Sequence, residues 1–238
     1  MKKIVLFAAV VFICLTGIGQ AGFLDNLFKN IGPVTQKAPT NSEIISGLKE
    51  ALSVGTEKAV KEVSQIDGYL GNEAIKIIIP EKIQNVADVL SKVGFQRQVD
   101  DFVTSMNRAA EKAAVKAAPH FVHAIREMSF DDAKKILKGS DSAATDYFRT
   151  KTSDKLYADF KPVISSAMNQ VGATANYKKM MDSYTALPFM KDVAIDLDDY
   201  VTNNALDGLF YMIAEEEKKI RTDPAARVTD LLKKVFSN

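Results

Sequence analysis

The chain has no tryptophan, a single cysteine, two histidines and almost no net charge, and each shortage removes a class of protein. A lone Cys14 cannot build a disulfide framework, nor can it supply the paired thiolates of a cysteine-rich zinc site. Thirty-one Lys and Arg against 30 Asp and Glu leave a formal charge of +1. That is far from the basic balance of a nucleic-acid binder. After the first residues no hydrophobic run approaches the roughly 20 residues of a membrane-spanning helix. No Gly-rich phosphate loop, CxxC pair or nucleophile elbow appears either, and nothing nominates a cofactor.

What is present begins with a targeting segment. Lys2 and Lys3 precede the apolar run Ile4 to Leu15, and Gly19-Gln20-Ala21 places small residues where a signal peptidase reads. Residues 1–21 are therefore expected to be a cleaved signal peptide, which makes the product periplasmic. Lipidation at Cys14 is not expected, because bulky Ile13 stands where a small residue is needed. Removing residues 1–21 takes away Cys14 and two lysines and leaves 29 basic against 30 acidic side chains. The 217 residues that follow are enough for a sizeable core without staples.

Residues 22–40 read as an amphipathic piece (Phe23, Leu24, Leu27, Phe28) and a linker with Pro33 and Pro39. Residues 41–238 read as one helical domain. Ile45, Leu48, Leu52, Ala59 and Val63 form the stripe of a first helix, interrupted by Gly55. Ile83, Val86, Leu90 and Val93 form a second, ended by Gly94. Val99, Phe102, Met106, Ala109, Ala113 and Ala117 form a third, and Pro119 opens a fourth. The centre, Met128 to Thr152, reads as a tight corner of two short helices. Ser129 and Asp132 cap the first, Gly139 ends it in a left-handed conformation, and Asp141 caps the second. A further helix starts at Thr152 or Ser153, with Pro162 kinking or splitting it before Gly172. Asp198 caps a long helix through Ile220, and Asp223-Pro224 opens a last one. The expectation is an all-α bundle of about ten helices. Ile75 to Ile79 and Val193 to Leu197 leave room for one short two-stranded β-ribbon.

Six stretches carry a family resemblance: GLKEAL (47–52), DGYLGN (67–72), NRAAEKA (107–113), DDAKKIL (131–137), AATDYF (143–148) and LDDYVTNNALDGLFYMIAEEEKKIR (197–221) followed by DP. With them the chain resembles a bacterial exported family known as domain of unknown function 4197. The resemblance implies a helical, periplasmic domain and brings no activity or catalytic residue. The family pattern carries a lysine where this chain has Asn204.

Charged residues on or beside apolar stripes are the candidate site, since an unpaired buried charge is costly. Arg108 and Glu111, then Asp146 and Arg149, stand three apart on helices; with Tyr147 and Glu216 they are expected to form one polar cluster, structural or ligand-binding. His120, His123 and Glu127 have a weak metal-ligand spacing. Asp196, Asp198 and Asp199 lack the glycine and glutamate of a calcium loop. The leading functional expectation is a non-enzymatic binding protein for an apolar small molecule or an envelope protein. Its support is the Met- and aromatic-rich content, Met180, Met181, Tyr184, Phe189, Met190, Phe210, Tyr211 and Met212, which suits adaptable apolar surfaces, although at least half of these side chains are expected to fill the core. The competing expectation is an envelope enzyme using Glu111, Asp146 or Glu216.

Overall fold

Thr40 opens the first helix with a capping box: its hydroxyl accepts the Glu43 N–H at 3.3 Å, and the Glu43 carboxylate accepts the Thr40 N–H at 2.7 Å. Ser129 and Asp132 repeat the device at 3.1 Å in each direction. The computed structural model describes residues 40–190 and 195–223. Among them the chain forms helices α1 (Asn41–Val63), α2 (Gln84–Lys92), α3 (Gln96–Ala114), α4 (Ala118–Glu127), α5 (Phe130–Lys138), α6 (Ala143–Gln170), α7 (Ala173–Thr185) and α8 (Leu197–Thr222). A 3-10 turn, Glu81–Ile83, leads into α2, and another, Val115–Ala117, joins α3 to α4.

The all-α expectation holds, with fewer helices than the ten foreseen. The two helices drawn on either side of Thr152 are one, α6. Buried Thr152 is no cap: its hydroxyl donates to the Phe148 carbonyl one turn back, so the helix passes through it. Pro162 does not split α6 either. Its missing N–H frees the Ala158 carbonyl, and Ala158 and Pro162 both lie on the exposed face, where water can take that bond. The helix foreseen after Asp223, the signal segment 1–21 and the amphipathic piece at 22–30 lie outside the described residues.

Helix α8 packs along α6 and α1, and α3 lies against α6, α7 and α8. Helices α4 and α5 close over α1 and α6, while α2 covers α3 and α7. Small residues permit these approaches. Ala109, Ala110, Ala113 and Ala114 of α3 are all fully buried. Phe121 of α4 meets Phe148 of α6 edge-on at 5.3 Å between centroids and Phe210 of α8 at 6.1 Å. Truncating one such ring to alanine costs about 3–5 kcal/mol. No described helix is long and apolar enough to cross a membrane.

The segment Ile75–Ile79 alternates as a strand does: Ile75, Ile77 and Ile79 are buried and Ile78 is exposed. It nevertheless pairs with no strand among the described residues. Asn107 of α3 takes the partner's place, accepting the Ile77 N–H at 2.9 Å and donating to the Ile77 carbonyl at 2.8 Å. The Tyr200 hydroxyl donates to the Ile78 carbonyl at 3.1 Å. Side chains of two helices therefore satisfy an extended segment that lacks a ribbon. Residues 193–194 of the foreseen ribbon lie outside the described residues.

Candidate functional site

Glu111 on α3 is 4% exposed, and both of its oxygens are engaged. One accepts the backbone N–H groups of Tyr69 and Leu70 at 3.2 and 3.4 Å. The other accepts from Arg108 at 2.7 Å, and the same guanidinium reaches Asp67 at 2.6 Å. The turn of residues 67–72 is thereby pinned on the helix. Asp67 adopts a left-handed φ of 66°. The hydrogen bond to Glu111 raises the Arg108 pKa and fixes its charge. From this turn Tyr69 drives into the core, fully buried, and its hydroxyl donates to the Ala205 carbonyl at 2.6 Å. Burial, with the Glu111 charge adding to it, pushes the Tyr69 hydroxyl far above its ordinary range, so it stays a donor.

A second buried carboxylate network stands on α8. Glu216 accepts from Lys58 and Lys219, both at 2.7 Å. Burial alone would raise this carboxyl, but the hydrogen bonds from Lys219 and Lys58 outweigh it and hold it below the glutamate range. Glu217, 6% exposed, turns to the start of α6 and accepts the N–H groups of Ala144 and Thr145 and the Thr145 hydroxyl, all at 2.9 Å. Arg221 donates to Glu217 at 2.8 and 3.1 Å and to the Ile136 carbonyl of α5 at 2.9 Å. The expected cap, Asp141, is exposed and plays no part; the acid comes from α8.

The six residues expected in one cluster are not joined as one network. Only Arg108 and Glu111 bond to each other. Asp146 is exposed and accepts from the Ser142 hydroxyl at 3.2 Å. Arg149 pairs with Asp207 at 2.9 Å and lies over the Phe210 ring at 4.5 Å. The Tyr147 hydroxyl donates to the Ala124 carbonyl at 3.0 Å, and its pKa is raised by burial and then by the charges of Asp132 and Glu127. Among the described residues no three His, Cys, Asp or Glu side chains are placed to hold a metal ion. His120 turns to Asp159 at 2.8 Å and His123 to Glu127 at 3.2 Å.

Gly139 is extended (φ −83°, ψ −172°) rather than left-handed; a Cβ there would meet that of Ala143 at 2.5 Å, so the glycine serves the close turn from α5 to α6. The cap of α8 is Asp196, not Asp198, and it accepts the Asp199 N–H at 2.9 Å.

Two concavities flank this corner. A groove of about 290 Å³ runs between α1 and α5, lined by Ile44, Ile45, Phe130 and Leu137 with Lys134 and Lys138 on its rim. A cleft of about 170 Å³ lies between α4 and α6, walled by His120, His123, Glu127, Tyr147, Lys151 and Lys155. Of the eight Met and aromatic side chains, Met180, Met181, Phe210 and Met212 fill the core, half of the set, as expected; Tyr184 is partly buried, and Phe189, Met190 and Tyr211 are exposed.

A family model described as a protein of unknown function, DUF4197, matches residues 38–237. The chain belongs to the DUF4197 family. No curated protein and no solved structure matches it. Five of the six stretches on which the DUF4197 resemblance rests are tied together by the buried carboxylates, all but 47–52. Glu111, in 107–113, holds 67–72, while Glu217 and Arg221, in 197–221, hold 143–148 and Ile136 of 131–137. Sequence reading missed Glu217, Asn107 and Tyr69. A spacing signal existed for Glu217, which falls four after Ile213 and three before Ile220 and so shares their buried stripe. At position 204 of this DUF4197 chain, the Asn204 amide donates to the Tyr200 carbonyl at 2.8 Å.

Proposed function

We propose that the protein is an exported, periplasmic, non-enzymatic binding protein that seats an apolar, acid-flanked helix of a partner protein in the groove between α1 and α5. The observation that carries this reading is Phe130. It is 47% exposed at the first position of α5, inside the Ser129–Asp132 capping box, so a large ring is held at a fixed place on the surface. Lys134, Leu137 and Lys138 follow it at four, seven and eight residues, on the same face. Apolar anchors with basic neighbours suit the helix-in-groove mode of recognition. The open groove of about 290 Å³ falls just below the roughly 300–1,000 Å³ of enclosed small-molecule pockets, which favours a partner helix over an apolar small molecule.

The carboxylates of the enzyme reading support it less. Both oxygens of Glu111 and of Glu216 are taken by fixed donors, and Asp146 stands exposed beside Ser142. A photo-crosslinking residue at position 130 of the full chain, expressed in its native envelope, tests the proposal. The expected product is a crosslink to an acid-flanked apolar segment, lost when Lys134 and Lys138 become glutamate. A crosslink to an acyl chain, a crosslink indifferent to the lysine changes, or none at all overturns it. Export is tested separately by intact mass, which should begin at Gly22 in a periplasmic extract.

A further inference from the structure

The cleft between α4 and α6 has a different chemistry from the groove. Two adjacent helix faces build it. His120, His123 and Glu127 project from α4 at three- and four-residue steps, and Tyr147, Lys151 and Lys155 project from α6 at four-residue steps. Ala124 and Thr152, both buried, form its floor, and the Thr152 hydroxyl is committed to the Phe148 carbonyl. Tyr147 is equally committed, to the Ala124 carbonyl, so the floor is rigid and its own polar groups are satisfied.

The walls are charged unevenly. Each acid here already has a partner: Asp159 holds His120, Glu127 holds His123, and Asp132 is bonded to both the hydroxyl and the N–H of Ser129, which lower its pKa, with the Lys151 charge adding to them. The ammonium groups of Lys151 and Lys155 form no hydrogen bond or ion pair among the described residues. Lys151 only approaches the Tyr147 ring, at 5.9 Å from its centroid. Two cations one helical turn apart thus face a concave surface lined by a single carboxylate, Glu127, which is turned to His123. A metal ion is disfavoured in the same space, because the histidines face separate acids and the lysines would repel it.

We infer that this cleft is an oxyanion site, taking a phosphate or phosphomonoester group between Lys151 and Lys155. Ammonium-to-phosphate hydrogen bonds are charge-assisted and among the stronger ones available on a protein surface. A volume of about 170 Å³ admits a phosphate with a short substituent and excludes a nucleotide-sized or acyl-chain ligand. The source of the phosphate is either a soluble ester or the headgroup of an anionic lipid.

Calorimetric titration of the full chain with inorganic phosphate and with glycerol 3-phosphate, beside flotation with phosphatidic acid vesicles, tests the site and separates the sources. Saturable binding of either soluble probe is expected, weakened roughly tenfold or more when Lys151 and Lys155 become methionine, since two charge-assisted bonds are lost. Lys179→Met, on α7 at another surface, should leave it unchanged. Binding to vesicles alone, abolished by the same pair of changes, assigns the oxyanion to a lipid headgroup. Failure of every probe, binding that survives the double change, or tighter binding of zinc than of phosphate overturns the inference. Both lysines are exposed, so the variants should melt with the wild type.

Discussion

Glu217 caps Thr145: its carboxylate accepts both the Thr145 N–H and the Thr145 hydroxyl at 2.9 Å, across 72 residues of chain. Ser142 makes no side-chain cap of its own, and the start of α6 is buried against α8, where water cannot serve its first donors. An acid at a helix N-terminus also meets the positive end of the helix dipole. Arg221 then balances the charge and reaches back to the Ile136 carbonyl. One ion pair therefore joins the end of α5, the start of α6 and the side of α8.

Removing Glu217 should be among the most damaging single changes in the protein. Glu217→Ala strands three donors and leaves Arg221, whose side chain is only 14% exposed, without its acid. Breaking a buried pair in this way costs about 3–5 kcal/mol. Glu217→Gln keeps one acceptor but turns an amide donor toward other donors, at about 1–3 kcal/mol. Urea unfolding should give this order. Stability of Glu217→Ala within about 0.5 kcal/mol of wild type would contradict the cap.

Much of the fold was legible in the sequence because it rests on local signals. The capping box at Ser129, Pro119 in the first turn of α4, and Gly94 and Gly172 with φ of 92° and 79° all act within a few residues of themselves. What escaped depends on partners far along the chain. Gly55 does not interrupt α1: a Cβ there would lie 3.4 Å from Ile220 of α8, so it marks a close helix crossing. The acids were placed on buried stripes correctly at Glu111 and Glu216. Asp146 and Arg149 were not, since a three-residue step alone does not say which face of α6 the core takes. No local rule reveals that Asn107 would stand in for a strand.

The packing of Tyr69 against Gly208 predicts a coupled pair. A Cβ on Gly208 would lie 2.8 Å from the Tyr69 ring and 3.1 Å from the Ile75 Cβ. Gly208→Ala should therefore destabilise by about 1–3 kcal/mol despite the better helix propensity of alanine. In a Tyr69→Leu background the ring is gone, and the cost of Gly208→Ala should fall by half or more. A double-mutant cycle measures the coupling; effects that add to within about 0.5 kcal/mol would show that the ring and the glycine do not constrain each other.

Glu216 predicts a pH dependence of defined sign. Lys219 and Lys58 hold its folded pKa below the ordinary value, so the folded state favours the charged form. Its stabilisation is complete above the unfolded pKa of about 4.3 and is lost as pH falls through the lower folded value. At neutral pH Glu216→Gln should be less stable than wild type, and the gap should close as the pH drops below about 4. The partner works in the opposite sense. The Lys219 pKa is raised, chiefly by its hydrogen bond to Glu216, so its share persists through neutral pH and is lost only in strong alkali. Urea titrations between neutral and acid pH decide the matter: a gap constant across that range would rule out the pair as its source.

Asn107 carries the last prediction, because its amide does what a neighbouring strand would otherwise do. It is fully buried, accepts the Ile77 N–H, and donates to the carbonyls of Ile77 and Val103 at 2.8 Å. Asn107→Leu keeps the volume but orphans a buried N–H and a buried carbonyl on the Ile77 backbone. Each unsatisfied group costs about 1–3 kcal/mol, so the total should be severe for so small a change in shape. Asn107→Asp keeps the acceptor, loses the donor and buries a charge, and it should be worse at neutral pH than in mild acid, where the carboxyl protonates. Hydrogen exchange separates a local effect from a global one. The Ile77 amide should lose protection first, ahead of the α3 amides around it, as the segment from Ile75 to Ile79 lifts from the bundle. Uniform loss across all helices would mean that Asn107 serves α3 itself and that the extended segment is held by its isoleucines alone.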